Sequence, residues 1–351
     1  MLKSWRVSAL VLVPVSIVLA ALNSTPIAVF CTSALALVPL AALLGFATEE
    51  IAGHVGPSLG GLLNATLGNA TEMILGLILL WSGHIEVVKA SLTGSIISNL
   101  LLVFGLATFV GGFRREKQIF NRLTVGASTA MLFLAIVAMV MPALFDITAY
   151  GSFQENRTIV FLSFWTAIVL LISYSASLVF MFRTHRSLFG QQHVELPKLS
   201  ARAATLILVI TTVLIAFESE ILAGRIEAAT HALGWTDRFV GLVILAIVGN
   251  AAEHSAAVMM ARKDKMDLAL SIAMGSSTQI ALFVAPVLVV VSELRAQPMS
   301  LVFPPLEIVA VILSVGVVTL VSFDGETNWF EGLQLLSVYA ILVIVFFFMP
   351  A

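Results

Sequence analysis

The sequence predicts an all-α integral membrane protein of about eleven transmembrane helices, with one accessory helix followed by two inverted-topology repeats of five helices. Three observations predict this class. The 351 residues are 60% hydrophobic and 11% charged, whereas soluble domains carry roughly 25% charged residues. The apolar residues form runs of membrane-spanning length, and two short polar motifs recur inside such runs. An ordinary water-facing surface around a soluble core is therefore excluded.

Each element of this prediction rests on an apolar run of roughly 17–25 residues, which is long enough to cross a bilayer as a helix. The first run has the basic flank of a signal peptide. It lacks a clear small-x-small cleavage site, and many spans follow, so we interpret it as a helix. The runs lie at about 5–22, 26–47, 58–82, 86–112, 122–143, 157–182, 200–222, 237–261, 265–292, 299–321 and 328–349.

The distribution of Lys and Arg predicts the orientation, because cytoplasmic loops carry the excess of these residues. With the N-terminus in the cytoplasm and the C-terminus outside, thirteen basic residues fall inside and five outside. The inside set is Lys3, Arg6, Arg114, Arg115, Lys117, Arg122, Arg183, Arg186, Lys198, Arg202, Arg262, Lys263 and Lys265. The outside set is Lys89, Arg157, Arg225, Arg238 and Arg295.

Two five-residue motifs organise the chain, GNATE at 68–72 and GNAAE at 249–253. They lie 181 residues apart, and each is followed 22 residues after its glutamate by a Gly-Ser pair. The two motif helices are five spans apart and so cross in opposite directions, which is typical of inverted repeats in secondary transporters. The residues at 46–53 and 217–224 also match at four of eight positions.

The predicted organisation follows from this repeat. The accessory helix occupies 1–22, the first repeat 23–182, a cytoplasmic linker 183–199 and the second repeat 200–351. The single cysteine excludes an intramolecular disulfide, and the net charge of −2 gives no reason to expect nucleic acid as a partner.

The spacing of the motif residues predicts a cation site. Asn69 and Glu72 are three residues apart, as are Asn250 and Glu253, so each pair shares a helix face. The glycines that open the motifs are places where a helix can unwind and expose carbonyl groups to an ion. Oxygen ligands with two carboxylates suit a hard cation, above all calcium. Further polar groups come from the following helices and from the neighbour of Glu253: Ser95, Ser98, Asn99, Ser276, Ser277, Thr278, Gln279 and His254.

Two carboxyl groups in one site also suit protons, because burial and mutual repulsion favour protonation when no cation is bound. Cation and proton would then exclude each other, which is the minimum for exchange. A structural role that joins helices is the alternative for either motif alone, and His254 fits a packing role or a proton role equally. Glu49, Glu50, Glu218 and Glu220 lie near helix ends, where solvated or capping roles are expected, and Glu307 is expected at the interface.

The motifs resemble those of the calcium/proton exchanger (CAX) family, within the calcium/cation antiporter superfamily. GGLLNATLGNATE at 60–72 is similar to its first repeat motif, and GNAAEH at 249–254 to its second. GSIISN at 94–99 and GSSTQI at 275–280 resemble the helices that follow. The resemblance implies a ten-helix core plus an accessory helix, with calcium bound at the midplane.

Carried over by motif position, the resemblance implies that Glu72 and Glu253 bind calcium and protons in turn. Asn69, Asn250, Ser98 and Gln279 would complete or support the site, and His254 occupies a histidine position linked to transport. The linker RTHRSLFGQQHVELPK at 183–198 departs from eukaryotic members, because it is short and net basic instead of acidic. No calcium-sensing acidic segment is therefore expected, and the compact chain suggests a prokaryotic plasma-membrane protein.

The sequence thus predicts a secondary active antiporter, not an enzyme, that exports calcium in exchange for protons by alternating access. Calcium is its substrate, no cofactor is expected, and a homo-oligomer in the bilayer is compatible with the sequence. Three alternatives stay open: exchange of calcium against sodium, a passive divalent-cation channel, and a membrane-embedded hydrolase with paired carboxylates.

Overall fold

The computed structural model describes residues 8–151, 156–185 and 197–350. Three predictions lie partly or wholly outside these residues: the start of the accessory helix, the positions of Lys3, Arg6 and Arg186, and most of the linker at 183–199.

Fourteen α-helices make up most of the described chain, if a helix that continues through a π-helical turn is counted once. They are α1 Leu12–Ala21, α2 Pro26–Val55, α3 Pro57–Leu67, α4 Ala70–Trp81, α5 Ile85–Gly112, α6 Arg122–Tyr150, α7 Arg157–Thr184, α8 Ala201–Ala223, α9 Ile226–Leu233, α10 Asp237–Gly249, α11 Ala251–Arg262, α12 Met266–Ser292, α13 Pro305–Val321 and α14 Trp329–Phe347.

Three π-helical turns interrupt these helices, Ser98–Val103 in α5, Val240–Leu245 in α10 and Ile280–Val284 in α12, and a fourth, Phe180–Thr184, ends α7. Two short strands connect helix ends, β1 Gln118–Ile119 and β2 Glu326–Thr327. They pair antiparallel, with Gln118 opposite Thr327 and Ile119 opposite Glu326.

Length and apolar composition qualify eight helical spans as membrane-crossing within the described residues, and the pair of α9 and α10, bent by 109°, raises the number to nine. Helices α1 and α13 are also apolar but shorter, with 10 and 17 residues. The chain is therefore an all-α integral membrane protein, as predicted. Each predicted run contains a described helix, but the count of eleven crossings and the inverted repeats stay predictions.

Two helices extend further than the sequence predicted, and buried acidic residues lie in the extra turns. Helix α2 continues to Val55, where Gly56 ends it with a φ of +86°. Helix α6 continues to Tyr150. Glu50 is 6% exposed and Asp146 is fully buried. The predicted spans ended too early because acidic residues interrupt the apolar runs in the sequence, although the protein buries the acidic side chains.

The described residues form two compact units, and each takes helices from both halves of the sequence. Unit 1 contains the described residues up to Ser91, those within Gly190–Glu253 and those from Phe346 onward. Unit 2 contains those within Leu92–Phe189 and His254–Val345. Both motif glutamates lie in unit 1. The predicted domain boundaries follow sequence order and remain predictions.

Small residues allow close helix packing inside each unit, as is common in membrane proteins. In unit 1, a Cβ atom on Gly241 of α10 would lie 2.8 Å from the carbonyl oxygen of Val87 in α5. In unit 2, a Cβ atom on Gly105 of α5 would lie 3.2 Å from the carbonyl oxygen of Gly332 in α14. A side chain at Gly241 would therefore force a shift of the backbone, and one at Gly105 would require its neighbours to move by a few tenths of an ångström.

Contacts between loops join segments that the predicted topology places on one side of the membrane. On the predicted outer side, Arg225 donates to Asn23 and Arg238 pairs with Glu86, both within unit 1. On the predicted inner side, the backbone N–H groups of 198 and 199 donate to Glu50. In unit 2, the loop after α5 contacts the connection between α11 and α12, where Arg115 pairs with Asp264 and the backbone N–H of Asn121 donates to Asp267. The same loop contacts the connection between α13 and α14 through the pairing of β1 with β2. These contacts support the alternation of the spans, whereas the orientation remains a prediction.

Candidate functional site

Each motif contains a helix break, and the break falls on asparagine. Asn69 separates α3 from α4 with φ −100° and ψ 28°. Asn250 separates α10 from α11 with φ −94° and ψ 6°. These values lie in the sparsely populated bridge region, where many active-site residues are found. The sequence predicted unwinding at the glycines, but Gly68 keeps helical angles of −55° and −44°, so the break comes one residue later.

The breaks place both motif glutamates at the beginning of a helix. Glu72 lies in the first turn of α4, and Glu253 lies in the first turn of α11. A helix N-terminus carries partial positive charge, which favours a negatively charged side chain in the first turn. The same backbone arrangement therefore supports a carboxylate in each motif. Both glutamates are half-buried within the protein.

Unit 1 brings the carboxyl group of the first motif to the second motif. A Cβ atom on Gly249 would lie 3.4 Å from Oε1 of Glu72, so this carboxyl group rests against the bare backbone of Gly249. Unit 1 thus brings together Glu72 and Gly249, which lie 177 positions apart in the sequence.

The asparagines at the two breaks are buried, with 2% exposure for Asn69 and 0% for Asn250. The backbone N–H and the side-chain Nδ2 of Asn250 both donate to the carbonyl oxygen of Ala246, at 3.3 Å and 2.9 Å. This orientation fixes the amide nitrogen against α10. The amide oxygen, a ligand type that calcium accepts, lies on the other branch of the side chain.

Unit 2 contains the remaining predicted site residues. Ser95, Ser98 and Ser276 are buried, with exposures of 3%, 0% and 4%. Nδ2 of Asn99 donates to Oγ of Ser276 at 3.0 Å, which links α5 to α12. Gln279 is half-buried. The two Gly-Ser helices are therefore direct neighbours and carry buried hydroxyl and amide groups where they meet.

The π-helical turns of α5 and α12 occupy equivalent positions in the two halves. The first begins at Ser98, and the second begins directly after Gln279. Ser98 and Gln279 are themselves 181 residues apart, which is the spacing of the motifs. A π-helical turn widens the helix locally, and such turns occur frequently at functional sites. No signal in the sequence predicted them except the repeated polar residues at this spacing.

His254 follows Glu253 in α11 and is half-buried. Its Nε2 atom has no hydrogen-bond partner among the described residues. A packing histidine normally satisfies a buried ring nitrogen. The packing role and the proton role that the sequence left open both remain predictions.

Several buried charged residues were not predicted as such. Glu307 was expected at the interface but is 1% exposed, and its Oε2 accepts a hydrogen bond of 2.7 Å from Thr93. Glu218 was expected to be solvated or to cap a helix but is 0% exposed. Lys89 and Asp146 are also buried. The only sequence signal for these residues is a charge inside a membrane-length run, which is itself an indication of function.

Side chains that commonly bind transition metals do not cluster in the described part of the chain, where no group of three or more His, Cys, Asp and Glu residues could hold a metal ion. The predicted ligands are instead carboxyl, amide and hydroxyl oxygens, and their joint use remains a prediction.

Comparison with known proteins identifies close relatives over almost the whole chain. The Ca(2+)/H(+) antiporter of Synechocystis sp. is 48% identical over 341 residues, which cover 92% of this chain and 91% of that protein. The Ca(2+)/H(+) antiporter of Aphanothece halophytica is 45% identical over 358 residues, which cover 97% of this chain and 95% of that protein.

A solved structure shares the fold. The structure of native YfkE superimposes with a TM-score of 0.85 at 38% sequence identity and covers 97% of this chain and 98% of that one. The resemblance to calcium/proton exchangers is thus confirmed. The sodium/calcium exchanger protein family matches residues 25–183 and 203–348. The chain is a transporter that belongs to the sodium/calcium exchanger protein family.

Proposed function

We propose that this chain exchanges calcium for protons across the membrane and that Glu72 and Glu253 bind the two ions in turn. The observation that carries this proposal is the position of the Glu72 carboxyl group against Gly249 of the second motif. Two carboxyl groups, each in the first turn of a half-helix, provide the negative charge that a divalent cation requires. The names of the Synechocystis and Aphanothece relatives support the same pair of substrates.

In this mechanism calcium is the substrate and binds to carboxylate, amide and hydroxyl oxygens. Glu72 and Glu253 supply the charge. By motif position alone, we assign Asn69, Asn250, Ser98 and Gln279 as further oxygen ligands, with Ser95 and Ser276 in support. When calcium leaves, mutual repulsion and burial favour proton binding by the glutamates. We expect His254, which follows Glu253 in the sequence and whose Nε2 has no hydrogen-bond partner among the described residues, to pass protons.

Exchange follows if the site opens to one side of the membrane at a time. The proposed inverted repeats, at 23–182 and 200–351, provide the pseudo-symmetry for such alternating access. We place the chain in a prokaryotic plasma membrane with a cytoplasmic N-terminus and an external C-terminus. Where protons are more abundant outside, the exchange exports calcium. A homo-oligomer in the lipid bilayer is compatible with this function.

The test is calcium flux into proteoliposomes with an imposed pH gradient. We expect gradient-dependent flux in the wild type and loss of at least about tenfold, equivalent to ~1.4 kcal/mol, in Glu72→Gln and in Glu253→Gln. Glu227→Gln is a matched control, because it replaces glutamate by glutamine at an exposed position in α9. Unchanged flux in both motif variants would overturn the site assignment.

Sodium/calcium exchange is the second candidate, because the matching family is described by these two ions. Replacing the pH gradient by a sodium gradient separates the two candidates. Calcium flux that depends on the sodium gradient and not on the pH gradient would support the cation site and contradict the proposal that protons are the exchanged ions. Flux that needs neither gradient would indicate a passive channel.

A further inference from the structure

Glu218 is a buried carboxyl group in α8 that the proposed ion site does not use. It lies in unit 1, where its side chain meets Ser16 of the accessory helix α1, and both residues are 0% exposed. Its Oε2 atom has no hydrogen-bond partner among the described residues. A fully buried carboxyl group within a membrane-length helix is unusual and costly if ionised.

The hydrogen atoms available around Ser16 indicate whether the carboxyl group of Glu218 is protonated. Oγ of Ser16 lies 2.6 Å from Oε1 of Glu218 and 2.7 Å from the carbonyl oxygen of Val13. A serine hydroxyl has one proton to donate, and a carbonyl oxygen can only accept. If Glu218 were ionised, one of these two short contacts would join two acceptors with no proton between them. If Glu218 is protonated, it donates to Ser16 and Ser16 donates to Val13, so both contacts are satisfied.

Among the residues that the structure describes, no cation pairs with Glu218 to stabilise an ionised form. The helices packed most extensively against α8 are α2, α4 and α1, and His54 is the only basic residue on them. His54 donates to the carbonyl oxygen of Leu199, just before α8 begins. Arg202 is at that same end. Glu218 lies 16 residues further on, which is about 24 Å along the axis at 1.5 Å per residue.

The other charged groups nearby do not replace a cation. Arg225, beyond the opposite end of α8, is half-buried and donates to Asn23. Glu220 is exposed on α8. The acidic residues on the packed helices are Glu49 and Glu50, at the end of α2 that contacts the start of α8, and Glu72 on α4. Acidic neighbours would oppose ionisation of Glu218 and not support it.

We propose that Glu218 is a proton-binding carboxyl group outside the proposed ion site, which holds a proton between α8 and the accessory helix α1 in this conformation. The protonated carboxyl group donates to Ser16, and Ser16 donates to Val13, so the contact between the two helices depends on the proton. Loss of the proton would place a negative charge in a dry environment and leave Ser16 with two acceptors. The proposal does not depend on which ions the chain exchanges.

Infrared spectroscopy of the full chain in lipid vesicles tests this proposal, because a protonated carboxyl group has a carbonyl-stretch band that a carboxylate lacks. The measurement uses the Glu72→Gln/Glu253→Gln double variant as its background, so that the proposed ion site contributes no carboxyl band. We expect one band to disappear on adding Glu218→Gln and to persist on adding Glu220→Gln. A spectrum unchanged by Glu218→Gln would overturn the proposal, whether or not the chain transports calcium.

Ser16→Ala provides the second measurement and remains informative if Glu218→Gln does not yield a monodisperse protein. Removing the serine oxygen takes away the acceptor of the proposed carboxyl proton, so the band of Glu218 should shift in frequency without being lost. Thr32→Ala is a matched control in the same unit, because Thr32 donates within its own helix to the carbonyl oxygen of Ala28. If Ser16→Ala leaves the frequency of the Glu218 band unchanged, the proposed hydrogen bond between Glu218 and Ser16 is overturned.

Discussion

The carboxyl group of Glu72 lies beside Gly249, on the side where a side chain would begin. A Cβ atom would sit 3.4 Å from Oε1 of Glu72, at the limit of ordinary van der Waals contact. A methyl group there would also remove water and cation from one side of the carboxyl group. We therefore expect Gly249→Ala to weaken apparent calcium affinity about tenfold, equivalent to ~1.4 kcal/mol, in a flux assay at varied calcium concentration.

Gly126→Ala is the control for this substitution. Gly126 lies in α6, and a Cβ atom there would meet no atom within 4 Å. Replacing an unhindered glycine inside a helix by alanine removes the conformational entropy cost of glycine and stabilises by roughly 0.5–1 kcal/mol. Equal calcium affinity in Gly249→Ala and Gly126→Ala would show that the space beside Glu72 is not used by the ion.

The buried contact between Thr93 and Glu307 supports a second prediction at this scale. Thr93→Val removes the hydroxyl group that donates to Glu307 while it keeps the shape of the side chain. Depriving a buried carboxyl group of a donor costs about 1–3 kcal/mol, so the variant should unfold at a lower temperature in detergent. Thr93→Ser retains the donor and should lose less stability. The reverse order of the two variants would contradict this reading.

Residue chemistry was predictable from the sequence only where spacing is local. Asn69 and Glu72, or Asn250 and Glu253, share a face because they are three positions apart. The partners of Glu218 and Glu307 are 202 and 214 positions away. No periodic pattern connects residues at such separations without a fold, so these two glutamates were placed near water although the protein buries them.

At the scale of elements, Arg115 connects the loop after α5 to the end of the second motif helix α11. Its guanidinium group donates to the carbonyl oxygens of Gly111 at 2.6 Å and Arg262 at 3.3 Å, and it pairs with Asp264 at 3.2 Å. A cation at a helix C-terminus is also favoured by the helix dipole. Arg115 therefore holds the end of α11 opposite to the end that carries Glu253.

We expect Arg115→Ala to lower the free energy of unfolding by ~2 kcal/mol, the scale of a charged hydrogen bond. Arg114→Ala is the matched control, because Arg114 is exposed beside it and such surface changes stay within about 0.5 kcal/mol. Arg115→Lys should recover only part of the loss, since lysine lacks the planar fork of donors. Thermal unfolding in detergent measures all three, and equal effects of Arg114→Ala and Arg115→Ala would contradict the proposed role.

Apolar periodicity predicted where the helices lie but not how they are interrupted. The break at Asn69 was expected at a glycine, because glycine is the weaker helix former. The π-helical turn at Ser98 and the 109° bend between α9 and α10 had no counterpart in the apolar runs. These features depend on how neighbouring helices pack, and the pattern of one segment does not contain that information.

At the scale of the whole molecule, side-of-membrane predictions agree with the contacts between loops. Arg115 contacts Asp264, and β1 pairs with β2, although the three loops are far apart in the sequence. All three were predicted on the inner side from the distribution of Lys and Arg. The contacts within each unit limit which loops share a side. They leave open whether that side faces the cytoplasm.

Cysteine accessibility in intact cells tests this orientation. Cys31 is the single native cysteine, and Cys31→Ser provides a background without a thiol. Arg114→Cys introduces an exposed thiol in the loop after α5, and Glu293→Cys introduces one directly after α12. The excess of basic residues in the first loop predicts that it is retained in the cytoplasm. A membrane-impermeant thiol reagent should therefore label Glu293→Cys in intact cells and Arg114→Cys only after permeabilisation. The opposite pattern would place the N-terminus outside. It would reverse the proposed direction of every span, while the alternation supported by the loop contacts would still hold.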